Sequence, residues 1–316
     1  MPCTALCALV LGCPVLGCLV SGLCGADLLG AEPAAAPSVA SRLERRLTED
    51  GRLKESPVFI GPAGQEIAYV VQESPTLLRA LKMRLSDGHT EPLTPGWEKN
   101  EFEPTFSADG QWMATIQSRG NLSLALVIRP TTAANAAELR PEGGFCGYRS
   151  PAFTPDAQRV YYSFADEDHQ AIYSVDRQGG DKKRIVQGPG HANWPSITPD
   201  GQQLVFSSSR DGNYELYASR LDGSEIRRLT DSPRQDIRPR VSPDGKWIAF
   251  TSGRDGNYEV YVVGWDGSPP YRITNHPERD DYPAWHPNSR QLIMVSERAG
   301  KHDLYLLDLP AELVGR

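Results

Sequence analysis

Short apolar runs rich in β-branched and aromatic residues recur along this chain, and each is closed by a turn signal. The order is clearest from Asp236 to Thr274. Arg238-Pro239-Arg240-Val241-Ser242 reads as a short extended stretch and Pro243-Asp244-Gly245 as a turn. Proline presets φ there, Asp bonds the neighbouring backbone, and Gly takes the positive φ that closes the turn. Trp247-Ile248-Ala249-Phe250-Thr251-Ser252 is apolar on both faces, as expected of a strand covered on each side by a neighbouring sheet. Arg254-Asp255-Gly256-Asn257 predicts a hairpin, Tyr258 to Val263 a third strand, Asp266-Gly267 another turn, and Tyr271-Arg272-Ile273-Thr274 a half-polar outer strand. The same grammar places Leu204-Val205-Phe206 before Tyr214-Glu215-Leu216-Tyr217, and Val160-Tyr161-Tyr162 before Ala171-Ile172-Tyr173. No segment between these runs shows a sustained helical period.

One phrase ties the runs together: a proline, a small or apolar residue, Ser or Thr, then Pro-Asp-Gly or a worn form of it. It is intact from Pro195 to Gly201 and from Pro239 to Gly245. Looser copies begin at Pro57, at Pro104 (ending Ser107-Ala108-Asp109-Gly110), at Pro151 (ending Thr154-Pro155-Asp156-Ala157) and at Pro283 (ending His286-Pro287-Asn288-Ser289). The leading prolines sit 47, 47, 44, 44 and 44 residues apart. A fixed period in this range marks a solenoid or a propeller, and four antiparallel strands per period make one propeller blade. The expectation is an all-β, six-bladed β-propeller of four-stranded antiparallel blades.

The ends indicate how the ring closes. Glu44-Arg45-Arg46-Leu47-Thr48 matches the outer-strand phrase Ile226-Arg227-Arg228-Leu229-Thr230, whereas the last copy stops after its third strand at Leu304-Tyr305-Leu306-Leu307-Asp308. An N-terminal strand completing the last blade would remove the exposed sheet edge. Residues 41–316 are therefore expected to form the propeller.

Composition bears mainly on location. Of 316 residues, 39% are hydrophobic and 8% aromatic, enough for a substantial core, and the formal charge of −7 argues against nucleic acid as a partner. The long apolar run, Cys3 to about Leu29, carries Asp27 as its one charged side chain and leads into the Pro/Ala-rich stretch Glu32 to Ala40. Residues 1–40 read as an export signal or lipoprotein leader plus linker, with Val15-Leu16-Gly17-Cys18 approximating a lipobox. A transmembrane anchor and a misassigned start codon are the competing readings, because no Lys or Arg precedes the apolar core. The mature chain is expected to be periplasmic or secreted, without a membrane span and with a lipid anchor as one option. Cys3, Cys7, Cys13, Cys18 and Cys24 fall in the leader, leaving Cys146 in the body without an internal disulfide partner.

The pattern Arg-Leu-Thr, an acid, Pro, Ser-Pro-Asp-Gly, Ile-Ala-Phe, Ser-x-Arg-Asp-Gly-Asn, Glu-Val-Tyr resembles the repeat of the TolB-type β-propeller, most clearly from Arg227 to Thr274. The resemblance covers roughly residues 44–309, with worn copies at Gly61-Pro62-Ala63-Gly64 and Asp156-Ala157. TolB carries a separate α/β domain ahead of its propeller, and here only about 44 residues precede the first repeat. The resemblance implies a periplasmic, cell-envelope propeller that docks a protein partner, in TolB a lipoprotein. A full place in the Tol–Pal system is not implied. Related propellers cap prolyl oligopeptidases, but the Gly-x-Ser-x-Gly elbow of the hydrolase half is absent from this sequence.

Candidate chemistry is sparse. The segments Ser-Arg-Asp-Gly-Asn-Tyr-Glu at 209–215 and Gly-Arg-Asp-Gly-Asn-Tyr-Glu at 253–259 invite a ligand or calcium reading, yet Asp, Gly and Asn also belong in hairpin turns. Trp265-Asp266-Gly267 aligns with the turn Leu221-Asp222-Gly223. The histidines His89, His169, His191, His276, His286 and His302 show no paired ligand spacing, and His286 stands in the Ser/Thr slot of its turn phrase. No catalytic residue, metal ligand or cofactor is assigned.

Propeller geometry singles out the residues just ahead of each repeated proline, because they lead into the innermost strands and form the rim of the channel. They are Glu101 and Glu103; Tyr148 and Arg149; His191, Asn193 and Trp194; Asp236 and Arg238; Asp280, Asp281 and Tyr282. Aromatic and Arg side chains anchor protein interfaces. In the competing reading the acids satisfy inner-strand N–H groups and the aromatics pack between blades. The expectation is a monomeric, non-catalytic module docking a protein. The alternative is a propeller lyase or hydrolase acting on a polysaccharide or lactone at the channel mouth, where a convergence of His, Asp and Glu including His191 would be its mark.

Overall fold

In a computed structural model of the chain, residues 44–120, 123–133, 135–141, 147–166 and 169–314 are described. The leader, its five cysteines and Cys146 lie outside the described residues. The strands form six four-stranded antiparallel sheets, each running from an inner to an outer strand. Blade one holds Lys54–Ile60, Glu66–Ser74, Leu77–Arg84 and Thr90–Pro92; blade two holds Glu101–Phe106, Trp112–Gly120, Ser123–Pro130 and Ala137–Leu139. Blade three holds Tyr148–Phe153, Arg159–Asp166, His169–Asp176 and Lys183–Val186; blade four holds Ala192–Ile197, Gln203–Ser208, Glu215–Arg220 and Arg227–Arg228. Blade five holds Asp236–Val241, Ile248–Ser252, Glu259–Val263 and Tyr271–Arg272. Blade six holds Asp280–Trp285, Gln291–Arg298 and Lys301–Asp308, and its outer strand is Glu44–Arg46.

That last strand closes the ring. Glu44, Arg45 and Arg46 pair with Leu307, Leu306 and Tyr305, and the Leu47 N–H donates to the Leu304 carbonyl at 2.8 Å. Inner strands touch in succession around the axis, including Lys54–Ile60 against Asp280–Trp285. Buried apolar side chains fill the spaces between blades. Trp247, Ala249 and Val260 meet Trp285, Leu292 and Met294, while Ile67 and Tyr69 of blade one meet Ala284 and Ile293 of blade six. This is why Ile248–Ser252 and Glu259–Val263 are buried at every position: each sheet has a neighbour on both faces. A one-turn helix, Ala311–Val314, follows the last blade and sets Leu313 into the junction of blades five and six.

The turn phrase folds by local chemistry. The Ser242 hydroxyl donates to Asp244 Oδ1 at 2.6 Å and the Gly245 N–H donates to the Ser242 carbonyl at 2.8 Å. Thr154, Thr198 and Ser107 repeat the side-chain bond to Asp156, Asp200 and Asp109. In blade six, His286 fills the slot by a different route, its Nδ1 accepting the Asn288 N–H at 3.1 Å.

Candidate binding surface at the channel mouth

Every inner strand breaks register at the repeated proline, as at Asn193/Ser196 and Ile237/Arg240. The residue before that proline has a positive φ in all six blades: Ser56 at 53°, Glu103 at 47°, Ser150 at 51°, Trp194 at 54°, Arg238 at 56° and Tyr282 at 57°. Proline has no N–H for the ladder, so the strand bulges there and the bulge re-aims a side chain. None of the six is glycine, so each accepts a left-handed conformation that costs an L-residue roughly 1–2 kcal/mol. The cost recurs at six equivalent positions, and four of them carry a charged or aromatic side chain.

These side chains meet across blade boundaries. Arg238 of blade five lies 3.2 Å from Asp281 of blade six and donates from Nη2 to the Tyr282 hydroxyl at 3.1 Å. Its guanidinium stacks over the Tyr282 ring at 4.1 Å and near Trp194 at 5.2 Å. The Tyr282 hydroxyl in turn donates to Glu55 of blade one at 3.0 Å. Asp281 also accepts the Thr251 hydroxyl at 2.7 Å and is clasped by Arg279. Across the ring, Glu103 accepts the Ser150 N–H at 2.6 Å and lies 3.3 Å from Arg149.

Electrostatics follow from burial and these pairs. Burial works against an ionised Asp281, but Arg238 and Arg279 beside it hold the carboxyl below its ordinary value. Burial and the neighbouring Glu103 charge push Glu55 up, against the bond from Tyr282. Burial, opposed by the Glu103 charge and reinforced by that of Arg238, lowers the Arg240 guanidinium. The lining therefore mixes strongly held charges with aromatic faces and suits a polar, hydrogen-bonding guest.

The residues singled out by sequence separate into two sets. Glu103, Arg149, Trp194, Arg238, Asp281 and Tyr282 come together at the channel. Glu101 is buried inside blade two, accepting from the Thr94 hydroxyl at 2.7 Å and Gln117 at 2.8 Å. Asp236 is buried in blade five, taking the Ser252 hydroxyl at 2.6 Å and Arg254 at 2.8 Å. Asp280 is its equivalent in blade six, taking the Ser296 hydroxyl at 2.5 Å. Burial pushes both carboxyls up to about 6. Tyr148 is buried against Tyr162 and Phe164, and Asn193 donates to the Tyr214 hydroxyl at 3.1 Å. His191 is half-buried; its Nδ1 accepts the Gln170 N–H at 3.0 Å, and burial with His169 nearby lowers its pKa.

Glu55, Ser150, Arg240 and Arg279 were missed by sequence. Glu55 and Ser150 hold the same offsets from a repeated proline as Arg149 and Trp194 do, so the period itself carried the signal. The Arg-Asp-Gly-Asn loops rivet the leading loop of the next blade. Asn257 Nδ2 donates to the carbonyls of His276 and Glu278 at 2.7 and 2.8 Å, and Asn213 does the same to Ser232 and Arg234 at 2.9 and 3.0 Å. Among the described residues, no three His, Cys, Asp or Glu side chains are placed to share a metal ion. Nor is any helix among them long and apolar enough to cross a membrane.

The sequence profile of the TolB beta propeller domain matches residues 66–255 and 148–314. The chain belongs to the TolB β-propeller family. A TolB of Agrobacterium tumefaciens superposes with a TM-score of 0.67 at 20% identity, over 86% of this chain and 100% of that one. TolB from Acinetobacter baumannii gives 0.63 at 19% identity, covering 78% of this propeller chain and 64% of the longer one. A gluconolactonase from Xanthomonas campestris gives 0.62 at 19% identity, covering 86% and 90%. At these identities the likenesses speak for the fold alone. No curated protein matches the sequence.

Proposed function

We propose that this TolB-family propeller is an exported, non-catalytic module of the bacterial cell envelope whose channel mouth docks a protein partner. The observation that carries the reading is the cross-blade network in which Arg238 stacks on Tyr282 and Trp194 while pairing with Asp281. Arg and aromatic side chains preorganised in this way resemble the anchors of protein interfaces, where rigid groups lose little entropy on binding. The apolar run from Cys3 to Leu29 supports export to the periplasm or beyond, with a lipid anchor as one outcome, and the family supports an envelope partner, a lipoprotein among the options.

The test is affinity capture from an envelope extract with the wild type and with Trp194→Ala plus Arg149→Ala, two half-buried side chains at the mouth. Loss of a wild-type partner in the double variant supports docking; an identical partner set removes the mouth from consideration. The alternative, a lyase or hydrolase acting on a polysaccharide or lactone, draws on the gluconolactonase likeness. Turnover of such a substrate, abolished by His191→Ala, would replace the docking reading.

A further inference from the structure

Blades five and six share a polar device at the start of their inner strands. Asp236 pairs in register with Ser252, accepts its hydroxyl at 2.6 Å, and binds Arg254 Nη2 at 2.8 Å. Arg254 lies over the rings of Phe250 and Tyr261 at 5.6 and 4.8 Å and donates from Nε to the Ser252 hydroxyl at 2.9 Å. In blade six, Asp280, Ser296, Arg298 and Tyr305 repeat the arrangement, with the ion pair longer at 3.9 Å.

Blade four keeps all of this except the carboxylate. Arg210 lies over Phe206 and Tyr217 at 5.5 and 5.0 Å and donates from Nε to the Ser208 hydroxyl at 3.2 Å. The residue opposite Ser208 is Ala192. The second acid near such a junction, Glu215 beside Asp236 and Glu259 beside Asp280, is Ala171 at the boundary of blades three and four. Asp211 is committed to the Tyr217 hydroxyl and forms no ion pair with Arg210. The Arg210 guanidinium thus stands in its carboxylate-bound pose, with Nη1 and Nη2 unbonded to any described residue. The Ser208 hydroxyl accepts from Arg210 and donates to no described group. Burial without a paired acid pushes Arg210 below its ordinary value.

We propose that the head of blade four is a carboxylate-binding site, in which an acidic side chain of the docked partner pairs with the Arg210 guanidinium as Asp236 pairs with Arg254 in blade five. The inference rests on the docking reading for its occupant but not for its chemistry. The planar, half-buried guanidinium fork presents parallel donors from Nη1 and Nη2 to two carboxylate oxygens. Phe206 and Tyr217 fix the fork from behind, and Ala192 puts a methyl where blades five and six carry a carboxylate. The site lies beside His191, whose N–H donates to Ser209 at 2.9 Å, and so falls on the same face as the channel mouth.

The experiment compares melting of the full-length wild type, Ala192→Asp and Arg210→Gln in sodium acetate and in sodium chloride at equal ionic strength. A ligand that binds only the folded state raises the melting temperature. Acetate is expected to raise that of the wild type by about 1–2 °C and to leave both variants unmoved. No acetate effect on the wild type, or an equal effect on Arg210→Gln, overturns the site even if Ala192→Asp folds poorly. Envelope capture then tests the occupant. Loss of the partner from Ala192→Asp supports it, and retention overturns it. Failure of the wild type to capture any partner instead defeats the docking reading, with the acetate comparison still deciding the site.

Discussion

Thr48 donates its hydroxyl to Asp303 at 2.7 Å across 255 positions of sequence. The same bond joins Thr230 to Glu215 and Thr274 to Glu259 inside blades four and five, at 2.7 and 2.5 Å. The N-terminal strand therefore completes blade six with the same polar staple that holds the outer strands of blades four and five. Arg46 adds an ion pair to Asp303 at 2.6 Å, and the fully buried Lys54 ammonium approaches the same carboxylate at 3.4 Å.

Removing the acid should open the ring. Asp303→Ala leaves Lys54 with one fewer buried partner and is expected to cost about 3–5 kcal/mol, whereas Thr48→Val should cost about 1–2 kcal/mol. Urea midpoints measure both, and hydrogen exchange should show the Leu304–Leu307 amides losing protection first. Protection unchanged in Asp303→Ala would mean that closure does not depend on this staple.

Asp280 predicts a pH dependence of inverted sign. Burial pushes it up to about 6, opposed by its bond from Ser296, and Glu259 adds to the push. Folding then favours the protonated form: this stability is present below the unfolded value of about 3.9 and is lost as pH rises through the folded one. Asp303 is depressed by Arg46, Thr48 and Lys54 against its burial, so its contribution is held above the unfolded pKa and lost as pH falls. The melting temperature should rise from about pH 7.5 to about pH 5 and fall in stronger acid. Asp236 and Glu55 share the sign, so Asp280→Asn should remove part of the rise and leave the remainder. A rise of full size in that variant would exclude Asp280 as its source.

The bulges can be probed at Ser56, which has φ 53°. Ser56→Gly trades a left-handed strain of about 1–2 kcal/mol for an entropic cost of about 0.5–1 kcal/mol, so stability should change little or rise slightly. Ser56→Val places a β-branched residue in that conformation and should destabilise by more than about 1 kcal/mol. Equal denaturant midpoints for the two variants would show that the backbone relaxes out of the left-handed region.

Two glycines in equivalent turns should behave differently on substitution. Gly223, at φ +84°, packs so close to blade three that a Cβ would lie 1.9 Å from the Ile185 carbonyl oxygen. Gly267, at φ +75° in blade five, has open space around it. Gly223→Ala is expected to cost about 3 kcal/mol or more and Gly267→Ala about 1 kcal/mol, compared by thermal or urea unfolding. Similar losses would mean that the blade-three contact yields without strain.

Six blades, their strand order and the closure by Glu44–Arg46 were determined by the sequence alone. The signals are local and periodic: a proline that cannot join a ladder, an Asp-Gly turn, and an Arg-Leu-Thr phrase displaced to the N-terminus. The fate of neighbouring acids was decided only in three dimensions. Asp280 and Asp281 are adjacent in the chain, yet one is sealed inside blade six against Ser296 and the other reaches Arg238 of blade five. Successive strand residues face opposite ways, and the bulge at Tyr282 then turns the rest of the strand, so a shift of one position separates a core acid from a channel acid. Arg210, which pairs with no acid among the described residues, depended likewise on strand register, because only the alignment of Ala192 with Ser208 shows which carboxylate is missing.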